Sequence, residues 1–137
     1  MHQKITITAT IDAPIEKVWI YWTDPAHITK WAFASDDWEA PRAENDVRVG
    51  GRFVTRMQAK DGSAGFDLCG EYTEVIENEK ISYVMEDERK VVTVFESTGS
   101  ETKIISTFEM EHQNSEEMQR AGWQAILDNF KKHVEQG

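Results

Sequence analysis

The chain has 137 residues, 39% of them hydrophobic and 29% charged, a composition that folds around a core and argues against disorder. Fifteen Lys+Arg against 25 Asp+Glu give a formal charge of −10, which repels phosphate backbones and anionic headgroups and sets nucleic acid aside as a partner. The single cysteine, Cys69, excludes an intrachain disulfide and a one-chain thiolate metal cluster and fits a reducing cytosol, while no stretch has the apolar length of a signal-peptide core or a membrane span.

The length suits one domain over residues 1–137. "KITITATI" sets Ile5, Ile7, Ala9 and Ile11 on one side and Lys4, Thr6, Thr8 and Thr10 on the other, the period-two pattern of a half-buried strand. Pro14 then suits the first position of a helix through "IEKVWIYW", and Asp24-Pro25 offers a capping side chain and a first-turn proline for a second short helix. Residues 32–51 contain Asp36, Asp37, Pro41, Asn45 and Gly50-Gly51 without a sustained period, which predicts a long loop or irregular edge segment.

Five strands follow, "RFVTRMQA", "FDLCGEYTEVI", "KISYVMED", "VVTVFEST" and "TKIISTFEM", with turn signals at Asp61-Gly62, Glu77-Asn78 and Thr98-Gly99-Ser100. Such spacing predicts an antiparallel meander, with a bulge or bend at Gly70 and a kink at Gly50-Gly51. From Asn114, which stands at capping-box distance from Glu117, a long helix carries Trp123, Ile126, Leu127, Phe130 and Val134 on one face. Its stripe needs a partner, and the concave face of the curled sheet is the large apolar surface on offer. Gly122 permits close approach there or leaves room. The expected fold is α+β: a curved antiparallel sheet of about six strands wrapped around a long C-terminal helix, with two short helices after the first strand.

The pieces "IDAPIEKVW", "TDPAHITKW", "VRVGGRF", "GEYTEVIENEKISY" and "GWQAILDNF" together resemble the activator-of-heat-shock-protein-90-ATPase-homologue-like family, within the START-like (SRPBCC) superfamily of helix-grip folds. The resemblance runs nearly end to end. It implies a deep cavity between the sheet and the C-terminal helix, and family members resemble carriers or binders of apolar molecules. The chaperone-activating member pairs this domain with a second one, which the expected single domain over residues 1–137 does not include, so direct chaperone activation is not expected.

"WIYWTDPAHITKWAF" raises the question of what so many indoles do. Trp19 and Trp22 are expected in the core, Trp31 at the cavity mouth with an N–H to offer, and Trp38 either in a lid or exposed to a partner. On the strands, the face bearing Phe53, Met57, Phe66, Leu68, Tyr72, Tyr83, Met85, Val94 and Phe108 is expected inward, with Thr55, Tyr72, Tyr83, Glu96 and Ser106 as its polar interruptions. A one-residue slip after Gly70 would reverse that assignment.

No nucleophile–histidine–acid arrangement is evident. His2, His27, His112 and His133 read as surface or packing residues, and Asp67, Cys69 and Glu71 as outward-facing. There is no metal-ligand spacing or phosphate loop, and no cofactor is implied. The expected function is binding of a small, largely apolar molecule (lipid, aromatic or polyketide-like) by Trp31, Phe53, Met57, Phe66, Tyr72, Tyr83, Trp123 and Leu127, without membrane insertion, in a cytoplasmic monomer or weak dimer. Two alternatives stand beside it: a cyclase- or aromatase-like enzyme using Tyr72, Tyr83 and Arg56, and a chaperone-associated interaction module with an acidic surface. A plain structural domain with a vestigial cavity is a third.

Overall fold

The alternation in "KITITATI" becomes strand β1 (Lys4–Ile11) in the computed structural model, which describes residues 3–136, and Ile5, Ile7 and Ile11 are buried. Helix α1 (Ile15–Thr23) follows, with Pro14 just ahead of its first turn. The Asp24 side chain accepts a hydrogen bond from the Ala26 N–H at 2.9 Å and caps α2 (Pro25–Ile28), which opens on Pro25. Strands β2 (Trp38–Asn45), β3 (Arg52–Ala59), β4 (Gly65–Ile76), β5 (Lys80–Met85), β6 (Lys90–Ser97) and β7 (Thr102–Glu109) precede the long helix α3 (Glu116–Gln136).

All strands join one antiparallel sheet in the order β1-β7-β6-β5-β4-β3-β2, a curled half-barrel with α3 against its concave face. The meander from β3 to β7 is the one expected. The sheet has seven strands rather than about six, because β2 lies in the segment expected to be irregular. Its sequence, WEAPRAEN, lacks alternation, Ala40 alone is deeply buried, and the pairing with β3 is irregular between Glu39 and Arg42. An edge strand needs only one hydrogen-bonding flank, which is why Pro41 is tolerated there.

Two register expectations change. In β6 the inward residues are Val91, Thr93 and Phe95, whereas Val94 is half-buried on the other face and Glu96 is exposed. "VVTVF" is apolar at both parities, so alternation could not choose; pairing of Val91 with both Tyr83 and Phe108 does. The bulge in β4 lies between Tyr72 and Glu74, not at Gly70. Gly70 instead allows close packing, since a Cβ there would stand 2.7 Å from the Val84 carbonyl oxygen and 3.0 Å from the Phe53 ring. The expected kink at Gly50-Gly51 is a tight turn with Gly50 at φ +85°.

The cap of α3 is Ser115, whose Oγ accepts from the Met118 N–H at 3.2 Å. Asn114, expected in that role, turns back to the Glu111 carboxylate at 2.6 Å. Along its length α3 is tied to the edge strand β1. Arg120 donates to the Thr6 carbonyl at 2.8 Å, Gln124 to that of Thr8 at 3.2 Å and Lys131 to that of Thr10 at 2.6 Å. These side chains, spaced to meet alternate residues of β1, cover a strand edge that would otherwise be open to pairing.

Candidate functional site

Because α3 runs along β1 and touches α1, β3 to β5 have no helix packed equally close above them. The result is a cavity of about 410 Å³ between sheet and helix. Gly122 of α3 is in its wall, and a Cβ there would meet nothing within 4 Å, so this glycine leaves room rather than bringing backbones together.

Trp31, Phe53, Met57, Phe66, Tyr72, Tyr83, Trp123 and Leu127 all line this space. Trp123 and Leu127 come from α3, where Trp123 stacks on Phe108 at 4.5 Å. Phe53, Tyr72 and Tyr83, from β3, β4 and β5, lock together with ring centroids 5.4 Å (Phe53–Tyr72), 4.7 Å (Phe53–Tyr83) and 6.4 Å (Tyr72–Tyr83) apart. Phe66 is 49% exposed and Met118 64%, although both line the cavity, so they mark its rim. Trp38 opens β2, is half-buried, and its ring stands 6.1 Å from that of Phe66.

Two tryptophans differ from expectation. Trp31 is buried and its indole N–H donates to the Tyr21 carbonyl at 3.0 Å, so it presents an apolar face without an available donor. Trp22, expected in the core alone, also lines the cavity and stacks on Trp31 at 5.1 Å. Trp19 remains core, edge-on to Phe95 at 5.5 Å.

Most polar groups in the wall already have partners. The Tyr72 O–H donates to the Asn45 amide oxygen at 2.5 Å, and the Asn45 NH2 donates to the Thr23 carbonyl at 2.7 Å, joining β4, β2 and α1. Thr93 and Ser106 share a hydrogen bond at 3.1 Å. Gln119 accepts from the Glu111 N–H at 3.0 Å and donates to the Asn114 carbonyl at 2.8 Å. The Tyr83 hydroxyl has no hydrogen bond among the described residues, and burial, followed by the neighbouring Tyr72, pushes its pKa above the ordinary tyrosine value. Burial also raises Tyr72, against the opposing pull of its bond to Asn45. Both hydroxyls therefore stay protonated at neutral pH, able to donate but not to act as bases.

The model of the family described as "Activator of Hsp90 ATPase homolog 1-like protein" matches residues 12–135. The chain belongs to that family. It is 46% identical to the AHSA1-like protein from Aeromonas hydrophila, whose solution NMR structure superposes with a TM-score of 0.91 over 98% of this chain and 93% of that one. A protein of Cytophaga hutchinsonii is 50% identical, with a TM-score of 0.84 over 97% and 92% of the two chains. A Nitrosomonas europaea protein, 21% identical with a TM-score of 0.83 over 97% and 94%, shares the fold. The comparison with curated proteins finds no match.

In this AHSA1-like chain Arg89 and Glu111 line the cavity, and the other chemically capable side chains lie away from it. Arg56 and Asp67 pair at 3.6 Å on the outer face of the sheet, and Arg52 reaches Glu71 at 3.7 Å. A hydrogen bond to Glu86, then burial, holds the Cys69 thiol above its ordinary pKa, the reverse of an activated nucleophile. His27 and His133 meet at 3.1 Å beneath Tyr21, whose ring stacks on His27 at 3.8 Å. His112 lies in the β7–α3 connection, and His2 falls outside the described residues. Among the described residues no three or more His, Cys, Asp or Glu are placed to hold a metal ion, and no helix is long and apolar enough to cross a membrane.

Sequence reasoning missed Trp22, Arg89, Asn45, Thr93 and the Glu111–Asn114–Gln119 web as cavity residues. Trp22 sits one helical turn from buried Val18, a spacing that core and cavity wall share. Arg89 falls in a turn, where no periodicity reports direction.

Proposed function

We propose that this chain binds a small, largely apolar molecule in the cavity between sheet and α3. The observation that carries the reading is the about 410 Å³ space itself, walled by aromatic and aliphatic side chains and holding an unpartnered Tyr83 hydroxyl. Pockets of this size and lining, with few convergent polar groups, suit a ligand of modest size. Burying roughly 200 Å² of ligand apolar surface at about 25 cal/mol per Å² offers about 5 kcal/mol before association entropy is subtracted, enough to bring micromolar affinity within reach.

Family membership supports the same reading. The cyclase-like alternative has less support: Tyr83 remains as a donor, but the Tyr72 O–H is spent on Asn45 and Arg56 is engaged by Asp67 on the far side of the sheet. The family's description as activator-of-Hsp90-ATPase-like makes a chaperone-associated role the reading that follows if the cavity proves empty.

The deciding experiment is native mass spectrometry of protein purified from its own host, followed by organic extraction. A discrete apolar adduct released on denaturation is expected. A clean apo mass, together with no thermal shift against lipids and polycyclic aromatics, would overturn the proposal.

A further inference from the structure

We propose that the cavity selects neutral apolar molecules bearing a carbonyl oxygen directed at the Tyr83–Arg89 end, and discriminates against the matching carboxylates. This deepens the binding reading and rests on it.

The inference comes from asking which polar groups in the wall have hydrogen bonds to spare. The Tyr72 O–H is spent on Asn45, Thr93 and Ser106 share one bond that leaves a single hydroxyl hydrogen between them, and Gln119 is held by Glu111 and Asn114. Among the described residues the groups with no hydrogen bond on the cavity side of the sheet and its β5–β6 turn can all donate: the Tyr83 O–H, the buried Thr55 hydroxyl and the terminal nitrogens of Arg89, which alone of the three cannot also accept. Arg89 stands two residues before Val91, the register partner of Tyr83, so guanidinium and phenol belong to one end of the space. A buried donor without a partner is a standing cost that an acceptor on the ligand removes.

Charge decides which kind of acceptor fits. The Arg89 Nε is already paired with the Asp87 carboxylate at 2.6 Å, and its side chain is 17% exposed. Glu111 stands at the same rim, its Oε1 accepting from Asn114. One guanidinium is thus paired with Asp87 and shares its rim with a second carboxylate, Glu111, in a chain whose formal charge is −10. A third carboxylate would lose its hydration on entry without finding an unpaired cation. A neutral carbonyl loses far less and can accept from both Tyr83 and Arg89.

The test uses three probes on one skeleton, methyl 2-naphthoate, 2-naphthoate at pH 7.5 and 2-ethylnaphthalene, titrated into the full chain by NMR. The ester is expected to bind about 2- to 10-fold more tightly than the hydrocarbon, the range of one neutral hydrogen bond, and more tightly than the acid. Tyr83→Phe should move the ester toward the hydrocarbon's affinity, leaving only what Arg89 donates, and leave the hydrocarbon unchanged. Asp87→Asn, an exposed change, should let the acid gain on the ester by releasing the Arg89 charge. Equal binding of all three probes by the unaltered chain, or tightest binding of the acid, overturns this proposal alone. No binding of any probe overturns it together with the binding reading.

Discussion

The two halves of the sheet's concave face are built from similar residues and packed in opposite ways. On the β1–β7–β6 side, Ile5, Phe95, Ile104 and Phe108 are almost wholly buried, as are Phe130 and Val134 of α3. On the β3–β4–β5 side, Phe53, Met57, Tyr72 and Tyr83 face a hollow. The cause lies in the helix, whose Arg120, Gln124 and Lys131 are fastened to the β1 edge and hold it to that side. The hollow half keeps its shape because Phe53, Tyr72 and Tyr83 brace one another within the sheet. A cavity of this kind needs an asymmetric grip on one side and a self-supporting wall on the other.

The sharpest way to break this comparison is a pair of truncations. Phe130→Ala, at a site 0% exposed and 4.9 Å from both Trp22 and Trp31, should cost about 3–5 kcal/mol in denaturant unfolding. Met57→Ala should cost no more than about 2 kcal/mol, because part of its surface already faces empty space. Equal losses would mean that the two halves are packed alike.

Next in size is Gly70→Ala, which pushes a methyl toward the Val84 carbonyl and the Phe53 ring and should cost about 1–3 kcal/mol by the same measurement. A neutral result would show that the aromatic brace is soft. Gly122→Ala should do the opposite. Its methyl enters open space, so improved helix propensity should raise stability by about 1 kcal/mol, and a loss would show that the hollow is filled.

The smallest effect concerns the junction of α2 and α3 in the packed half. Burial, then His27, Lys30 and Lys17, lowers the pKa of His133 below 6.5. As pH falls through about 6.5 the unfolded chain takes up this proton first, so stability declines from there downward. His133→Gln should flatten the unfolding free energy between pH 7 and 5, on the order of that histidine window. Asp61, Asp87 and Glu135, lowered by their hydrogen-bond partners against burial, lose their contribution only below their ordinary values of 3.8, 3.8 and 4.5. The two regimes therefore separate in a pH titration.

The β3–β7 meander, α1 and α3 were legible because burial imprints a period on sequence, and those elements bury one face. β2 was not, since its place at an edge depends on backbone pairing that WEAPRAEN does not advertise. β6 shows the complementary weakness: apolar residues at both parities leave its inward face undetermined, and alternation alone puts Val94 and Glu96 inward, opposite to the observed Val91, Thr93 and Phe95. Residues meeting across long separations, such as His27 with His133 or Asn45 with Tyr72, carry no local signal at all. The binding wall was easier, because large apolar side chains on facing elements converge wherever the fold leaves space.

The stacked indoles of Trp22 and Trp31 give the molecule an optical property. With Trp123, they put three of five tryptophans on the cavity wall, while Trp19 is sealed against Phe95. Indole emission follows the polarity of its surroundings, so water leaving the cavity would shift the colour of three chromophores against a fixed internal reference. Occupancy can thus be followed by light emitted from the unlabelled chain.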